Sequence, residues 1–210
     1  MTMADLETTQ IELDRASNTA ELVRATKKIC ALRDPSAAPT LIKVLSYNNP
    51  AVAATATQGL IELGREIVPT LLISLNTGNY GARAWIVKVL AALRDPRGLD
   101  QLEHALGADI APSVRRSAAK GLADLDLHGS TSSEELFRCC NGLFQACRDD
   151  EWIVRYAAVY GLERRLRSLA LTSSMQDTGR SLLKQLASEQ EDVKVVRLRA
   201  GLALQRLSIG

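Results

Sequence analysis

Aromatic residues are scarce in this chain. Its 210 residues include two Trp, four Tyr and two Phe, although 46% of the sequence is hydrophobic. Because large rings usually supply much of the buried area of a core, the apolar area here has to come from Ala, Leu, Val and Ile. This composition favours thin layers of packed helices.

An excess charge of either sign is also lacking. The 26 Lys and Arg residues nearly balance the 24 Asp and Glu residues, for a formal net charge of +2, so a nucleic acid is not expected as the main partner. The two histidines and four cysteines do not have the spacing of metal ligands or of a secreted disulfide framework. We therefore expect no metal, and a reducing, cytoplasmic location.

The N-terminal stretch has no apolar run. Asp5, Glu7 and Glu12 lie within the first 13 residues, which predicts neither a signal peptide nor a membrane span. No β-type alternation of apolar and polar residues extends over any length of the chain.

Internal repeats are what the sequence does contain. The tetrapeptide Leu-Arg-Asp-Pro occurs at 32–35 and again at 93–96, 61 residues later. Five segments share a second pattern, with a small or branched apolar residue at frame positions 0 and 4 and Leu at position 8. They are Val52-Ala56-Leu60, Ala82-Ile86-Leu90, Val114-Ala118-Leu122, Val154-Ala158-Leu162 and Val196-Ala200-Leu204.

This pattern predicts stacked helix pairs. Positions 0, 4 and 8 share one helical face, and another amphipathic stretch precedes each frame. We predict an all-α, HEAT-type α-solenoid of about six antiparallel helix pairs in one domain, 1–210, with less regular terminal pairs at 4–33 and 174–208. The polar stretches 128–133 and 171–174 are predicted as the longest loops, which either carry function or cap the next helix.

An arginine follows the frame start in four of the five segments. Arg83, Arg115, Arg155 and Arg197 would form a ladder of cations along one surface, and each follows an acidic or amide residue by four to six positions. For Arg115 and Arg197 we favour structural pairing with these neighbours.

Two of these arginines have rings beside them. Tyr80 lies on the same helical face as Arg83, and Trp152 and Tyr156 lie on the same face as Arg155. Rings that stack and guanidinium groups that pair with carboxylates suit a flat, conjugated ligand bearing carboxylates. Cation–π packing between repeats explains the same pattern equally well.

The thiols are expected to be structural. Cys140 and Cys147 lie seven residues apart among apolar neighbours, which favours reduced thiols in the core, and a transient thioether is the alternative.

Four segments give the chain a family resemblance. They are Asn-Asn-Pro (48–50), Asn-Tyr-Gly-Ala-Arg-Ala-Trp (79–85), Ile-Ala-Pro-Ser-Val-Arg-Arg (110–116) and Glu-Trp-Ile-Val-Arg-Tyr-Ala-Ala-Val (151–159). In this order they resemble the F subunit of the E/F-type phycobilin lyases, over roughly residues 20–165.

The resemblance implies a subunit that acts with an E-type partner in cyanobacteria or plastids. Such a pair attaches an open-chain tetrapyrrole, most often phycocyanobilin, to a cysteine of a phycobiliprotein α subunit, and can also detach or transfer it. The bilin is then the substrate and no cofactor is expected. Tyr80, Arg83, Trp152, Arg155 and Tyr156 would contact it. The run Asn-His-Cys, associated with isomerising relatives, is absent from 127–140, which favours attachment without isomerisation.

A non-enzymatic role is the alternative. The chain would then be a chaperone that stabilises a partner lyase or a phycobiliprotein subunit. In either role the apolar C-terminal segment, 193–209, is expected to be covered by another protein, because the terminal repeats of a solenoid need polar outer faces. The isolated subunit is then less soluble than the heterodimer.

Overall fold

The computed structural model describes residues 3–76, 80–127, 133–168 and 170–209, without the side chains of 3, 4, 76, 80, 81 and 133. These ranges form twelve α-helices and no strand, which confirms the predicted all-α class and the six pairs. The helices are α1 (Met3–Arg15), α2 (Thr19–Ala31), α3 (Ala38–Val44), α4 (Pro50–Leu63), α5 (Val68–Asn76), α6 (Tyr80–Leu93), α7 (Leu99–Ala108), α8 (Pro112–Asp124), α9 (Ser133–Ala146), α10 (Trp152–Arg165), α11 (Ser173–Ala187) and α12 (Lys194–Ser208). Within the described ranges, no helix combines the length and hydropathy that crossing a membrane requires.

The repeated tetrapeptide forms the same turn twice. Arg33 and Arg94 adopt left-handed backbone conformations, with φ of 51° and 55°. Asp34 and Asp95 follow, and each side chain accepts a hydrogen bond from the backbone N–H two residues on. The proline then opens a short 3₁₀ turn that leads into α3 or α7. The same local chemistry thus ends one helix and starts the next pair.

The helices group into two compact units, unit 1 (Met1–Leu93) and unit 2 (Arg94–Gly210). Unit 1 contains α1 to α6, and its even-numbered helices pack against one another, α2 on α4 and α4 on α6. Unit 2 contains α7 to α12 and repeats the arrangement, with α8 on α10 and α10 on α12. The prediction of a single domain is not tested by this grouping and stays a prediction.

The frame residues form the core, as predicted. Positions 0 and 4 are buried in α4, α6, α8, α10 and α12, and position 8 is buried in the first four of these helices. Small residues at position 7 permit close packing: a Cβ added to Gly59 would lie 2.2 Å from Sγ of Cys30, and one added to Gly161 would lie 2.6 Å from Cδ2 of Leu143. Leu204, at position 8 of α12, is only half-buried.

The loop predicted at 171–174 is confirmed in place but ends two residues earlier, and the alternative that its hydroxyl groups cap the next helix is confirmed at Thr172. Thr172 is the N-cap of α11, and its hydroxyl accepts the backbone N–H of Met175 at 3.3 Å, so that Ser173 and Ser174 are already helical. The other predicted loop falls largely on residues 128–132, outside the described ranges.

Candidate functional site

A ladder of ion pairs runs through unit 2. Arg115, on α8, binds both carboxylate oxygens of Asp149 before α10, at 2.7 and 2.8 Å. Arg155, on α10, binds both oxygens of Glu191 before α12, at 2.7 Å each. Arg197, on α12, donates to the carbonyl of Glu191. The first two rungs therefore tie one helix pair to the next, and the third ties α12 to the loop that precedes it.

The partners in the ladder differ from those predicted. The acid six residues before the arginine accepts a hydrogen bond through its backbone carbonyl and not through its carboxylate. For example, Nη1 of Arg155 donates to the carbonyl of Asp149 at 2.8 Å. The carboxylate of Asp149 instead pairs with Arg115, 34 residues away. The expected structural role of Arg115 is confirmed, but its acidic partner lies one repeat further along the chain.

The ladder holds its acids in the charged form. Hydrogen bonds from Arg155 lower the pKa of Glu191 below its ordinary value of 4.5, although burial opposes the shift. Burial raises the pKa of Asp149, but hydrogen bonds from Arg115 and from the Glu151 backbone outweigh it, and the pKa falls below its usual range. These carboxylates are therefore ionised at neutral pH.

Arg155 thus has the contacts of a structural residue. Its side chain is 14% exposed and that of Glu191 is 3% exposed. A ligand carboxylate could bind Arg155 only by displacing Glu191, which would leave that buried charge without its cation. The contacts support a structural role, and bilin contact by Arg155 stays a prediction.

The five residues predicted to contact bilin divide between the units. Tyr80 and Arg83 are on α6 in unit 1, where Arg83 is half-buried and the Tyr80 side chain lies outside the description. Trp152, Arg155 and Tyr156 lie together in the first turns of α10 in unit 2. The structure brings the second group together, and the predicted cooperation of the two groups is untested.

Three rings follow one another along α10. Trp152 is 44% exposed, and Tyr156 and Tyr160 are half-buried. Their spacing of four residues places them on one slowly winding stripe. The sequence prediction missed Tyr160, whose spacing from Tyr156 was the available signal.

Tyr160 is fixed by polar neighbours. Its hydroxyl donates to the carboxylate of Asp124 on α8 at 3.0 Å, and Arg164 also pairs with this carboxylate. The guanidinium groups of Arg164 and Arg199 lie 5.7 and 5.9 Å from the ring centre. Burial, followed by the bond to Asp124, raises the pKa of Tyr160, so the phenol stays protonated.

Two cations on α8 lie level with this ring stripe. The ladder joins the N-terminal ends of α8 and α10, and Arg165 donates Nε to the carbonyl of Leu122 near their C-terminal ends (2.9 Å), so the two helices run parallel. The hydrogen bond from the Tyr160 hydroxyl to Asp124 sets the register of the two helices. One turn earlier on each helix, Lys120 is therefore level with Tyr156. Arg116 lies one turn before Lys120, and both side chains are exposed. We call Arg116, Lys120, Tyr156 and Tyr160 the α8–α10 face.

A buried carboxylate anchors α12 to α10. Glu163, on α10, is 7% exposed. Its Oε2 lies 2.7 Å from Nη1 of Arg199 and its Oε1 lies 3.3 Å from Nη1 of Arg206. Ion pairs therefore hold α10 and α12 together beside Tyr160.

Two grooves flank the ladder. They measure about 440 and 610 Å³. Four acids and two arginines line each groove, so that each lining has an excess of negative charge, and both grooves share Arg148, Asp149 and Asp150. These negative charges disfavour a ligand that carries carboxylates. The α8–α10 face, which combines rings with exposed cations, fits such a ligand better.

The cysteine thiols have low reactivity. Cys139, Cys140 and Cys147 are buried in or beside α9, and Cys30 is half-buried. Burial raises the pKa to about 11 for Cys30 and Cys139 and to about 12 for Cys140 and Cys147. The expected core location of Cys140 and Cys147 is confirmed, and thiols with such pKa values are poor nucleophiles at neutral pH.

Across 3–76, 80–127, 133–168 and 170–209, no three His, Cys, Asp or Glu side chains are grouped to hold a metal ion.

Known families match most of the chain. A model of HEAT repeats matches residues 38–123 and 68–163. The bilin biosynthesis protein RpcF of Synechococcus sp. (strain WH8020) is 53% identical, over 98% of both chains. The phycocyanobilin lyase subunit beta of Nostoc sp. (strain PCC 7120) is 41% identical, over 90% of this chain and 93% of the relative. The phycocyanin alpha phycocyanobilin lyase CpcF of Synechocystis sp. (strain PCC 6803) is 42% identical, over 72% of both.

A solved structure agrees with these relatives. It is the complex of CpcE and CpcF of phycocyanin lyase from Nostoc sp. PCC7120, of which one chain is 42% identical to this protein, with a TM-score of 0.71, covering 81% of this chain and 99% of that one. An engineered protein at 16% identity and TM-score 0.57 shares the fold alone. The chain belongs to the HEAT-repeat family that includes phycocyanobilin lyase beta subunits, the lyase CpcF and the bilin biosynthesis protein RpcF.

Proposed function

We propose that this chain is one subunit of a heterodimeric bilin lyase, active with an E-type partner. The pair attaches an open-chain tetrapyrrole, phycocyanobilin, to a cysteine of a phycobiliprotein α subunit, and can also detach or transfer it. The observation that carries the proposal is nearly full-length similarity to CpcF and RpcF proteins, together with the fold shared with a chain of the solved CpcE–CpcF complex.

The chemistry assigns the nucleophile to the acceptor. Its thiolate adds to a carbon–carbon double bond of the bilin, forming a C–S bond while the conjugated system takes up the electron pair and a proton. The step needs no oxidant, and we propose no cofactor. The high pKa values of this chain's thiols support an external nucleophile. We propose that the reaction takes place in the cyanobacterial cytosol or the plastid stroma.

The subunit then contributes by positioning its substrate. We assign the bilin to the α8–α10 face, where Tyr156 offers a ring for stacking and Arg116 and Lys120 offer cations to the two propionates. Trp152 extends the ring stripe by one turn. Holding the bilin extended against a fixed surface favours attack at one carbon and from one side. Tyr80, Arg83 and Arg155 remain contacts proposed from the sequence.

The test is pigment attachment by face variants. We expect Arg116→Glu/Lys120→Glu, co-expressed with the E-type partner, phycocyanobilin and phycocyanin α subunit, to lower the yield of covalent pigment at least about tenfold. The variant melts like the unaltered chain, because both side chains are exposed. Lys184→Glu, an exposed change on α11, is the matched control. Unchanged attachment by the double variant would refute the assigned face.

Visible absorption of the purified pair distinguishes a lyase subunit from a chaperone that does not bind pigment. A purified pair from a bilin-producing host carries visible absorption if it handles the pigment. A colourless pair that still raises the yield of soluble phycobiliprotein would favour the chaperone.

A further inference from the structure

A carboxylate borders the α8–α10 face at one end. It belongs to Asp124, the last residue of α8, whose side chain is 11% exposed. The carboxylate accepts a hydrogen bond from the Tyr160 hydroxyl at 3.0 Å and pairs with Arg164. The guanidinium of Arg164 in turn lies 5.7 Å from the centre of the Tyr160 ring. Each of these three side chains therefore contacts the other two, and we call them the Asp124 cluster.

Two other ties already join α8 and α10. Arg115 pairs with Asp149 near the N-terminal ends of the helices. Near the C-terminal ends, Arg165 donates to the carbonyls of Leu122 and Leu125, at 2.9 Å each. These ties hold both ends of the helix pair, so what the hydroxyl bond adds is the register between them and a fixed orientation of the Tyr160 ring.

The repeat does not by itself supply such a cluster. Asp124 is at frame position 10 of α8, and Tyr160 is at frame position 6 of α10. The residues at the same two positions of the other successive frames are Glu62 and Lys88, Ala92 and Lys120, and Arg164 and Leu202. A carboxylate therefore meets a ring only in the frames that form the ring stripe, which indicates a role tied to that stripe.

The cluster keeps Tyr160 in one position. Burial and the bond to Asp124 raise the pKa of Tyr160, so the phenol keeps the proton that it donates. The guanidinium of Arg199 lies 5.9 Å from the ring centre, in addition to that of Arg164. A turn of the ring would thus break the hydroxyl bond and both cation–π contacts. Tyr160 is a rigid boundary one turn beyond Tyr156, the ring assigned to bilin stacking.

We propose that Asp124 is a positioning residue for the bilin and acts through Tyr160 and Arg164. It fixes a ring and a half-exposed cation at one end of the α8–α10 face, so that the bilin lies along the stripe in one extended geometry. The proposal rests on the proposed function and on the assigned face. Such a residue acts on the rate more than on affinity, because a misplacement of about 1 Å can slow a reaction on the order of 100-fold.

The experiment measures attachment kinetics in the presence of the E-type subunit and the acceptor, at varied phycocyanobilin concentration. Asp124→Ala and Tyr160→Phe should each lower kcat at least about tenfold and change KM less than about threefold. The double variant should be no slower than the slower single variant, because both changes break the same bond.

Two further variants show which interaction matters. Asp124→Asn should lower kcat less than about threefold, because its amide oxygen can still accept the Tyr160 hydroxyl. Glu103→Gln is the matched control and should keep the kcat of the unaltered chain. Glu103 is also a partly buried carboxylate that joins two helices, through Arg138 on α9, but it lies away from the ring stripe.

Visible absorption of the pair with bilin bound, before acceptor is added, separates positioning from stability. An open-chain tetrapyrrole gains visible absorption relative to its near-ultraviolet band as it extends. The ratio of the two bands should therefore fall in Asp124→Ala and Tyr160→Phe. A loss of folded protein would lower both bands together and leave their ratio unchanged.

The possible results decide between the roles. Normal kcat in Asp124→Ala would overturn the proposal, and so would losses that multiply in the double variant, since Asp124 would then not act through Tyr160. A lower kcat with an unchanged band ratio and a lower melting temperature would assign Asp124 to stability alone and would also overturn it. An unaltered pair that neither binds nor attaches bilin would instead refute the proposed function.

Discussion

Replacing Arg155 by alanine distinguishes a structural ladder from a ligand contact. The change removes the cation from Glu191, whose side chain is 3% exposed and keeps the Val193 backbone N–H as a donor at 2.9 Å. Removing one partner of a buried ion pair costs about 3–5 kcal/mol, because the other charge stays buried without its counter-ion. For a chain of this size, that corresponds to a fall in melting temperature on the order of 10 °C.

The assay is unfolding by heat and by urea, followed by circular dichroism. Arg116→Ala is the control, an exposed arginine on α8 whose loss should change stability by less than about 0.5 kcal/mol. Arg155→Lys should recover only part of the loss, since lysine cannot bind both oxygens of Glu191 in the same planar way. If Arg155→Ala melts like the unaltered chain and loses only pigment attachment, the structural account is wrong.

The stability difference between the unaltered chain and Arg155→Ala should depend on pH in a predictable direction. The pKa of Glu191 is lowered in the folded chain, so its contribution to stability is present above its ordinary value of 4.5. That contribution is lost as the pH falls through the lowered folded value. The stability difference between the unaltered chain and Arg155→Ala should therefore be full at pH 7 and shrink below about pH 4.5. A difference that stays constant down to pH 3 would contradict the pairing.

Three further predictions concern packing, thiols and solubility. Gly59→Ala should lower the free energy of unfolding by about 1–3 kcal/mol, because the added Cβ would lie 2.2 Å from Sγ of Cys30. Gly107→Ala is the control and should not lower it, because the space around its Cβ position is open. Equal melting temperatures of the two variants would contradict the packing. Iodoacetamide at pH 7.5 should label the native thiols far more slowly than the unfolded ones by mass spectrometry, and rapid native labelling would contradict their burial. The isolated chain should become more soluble with Leu198→Glu/Leu202→Glu, and unchanged solubility would mean that these exposed side chains do not drive association.

The helices follow from the sequence because their signals are local. Apolar residues four apart define each buried stripe, and side chains such as Asn49 and Thr172 cap the following helix. Leu204 departs from the pattern because it is only half-buried in α12, against which α10 and α11 pack, and the spacing of apolar residues on one helix does not reveal how many neighbours cover it.

The candidate site was less predictable because its contacts are long-range. Arg155 suggested a ligand contact, yet its partner Glu191 lies 36 residues away, in a loop whose position depends on the packing of two further helices. Lys120 and Tyr156 come from different repeats and become level only through the register that the bond from Tyr160 to Asp124 sets. Helical spacing therefore predicted Trp152 and Tyr156 on α10, but neither Tyr160 nor the cations on α8.

The most direct test of the proposed function is reconstitution of pigment attachment. The acceptor α subunit and phycocyanobilin are co-expressed with the E-type subunit, with and without this chain, and the acceptor is analysed by visible absorption and peptide mass spectrometry. We predict a bilin–cysteine thioether at one site of the acceptor only when both subunits are present. Equal attachment without this chain, or none with it, would contradict the proposal.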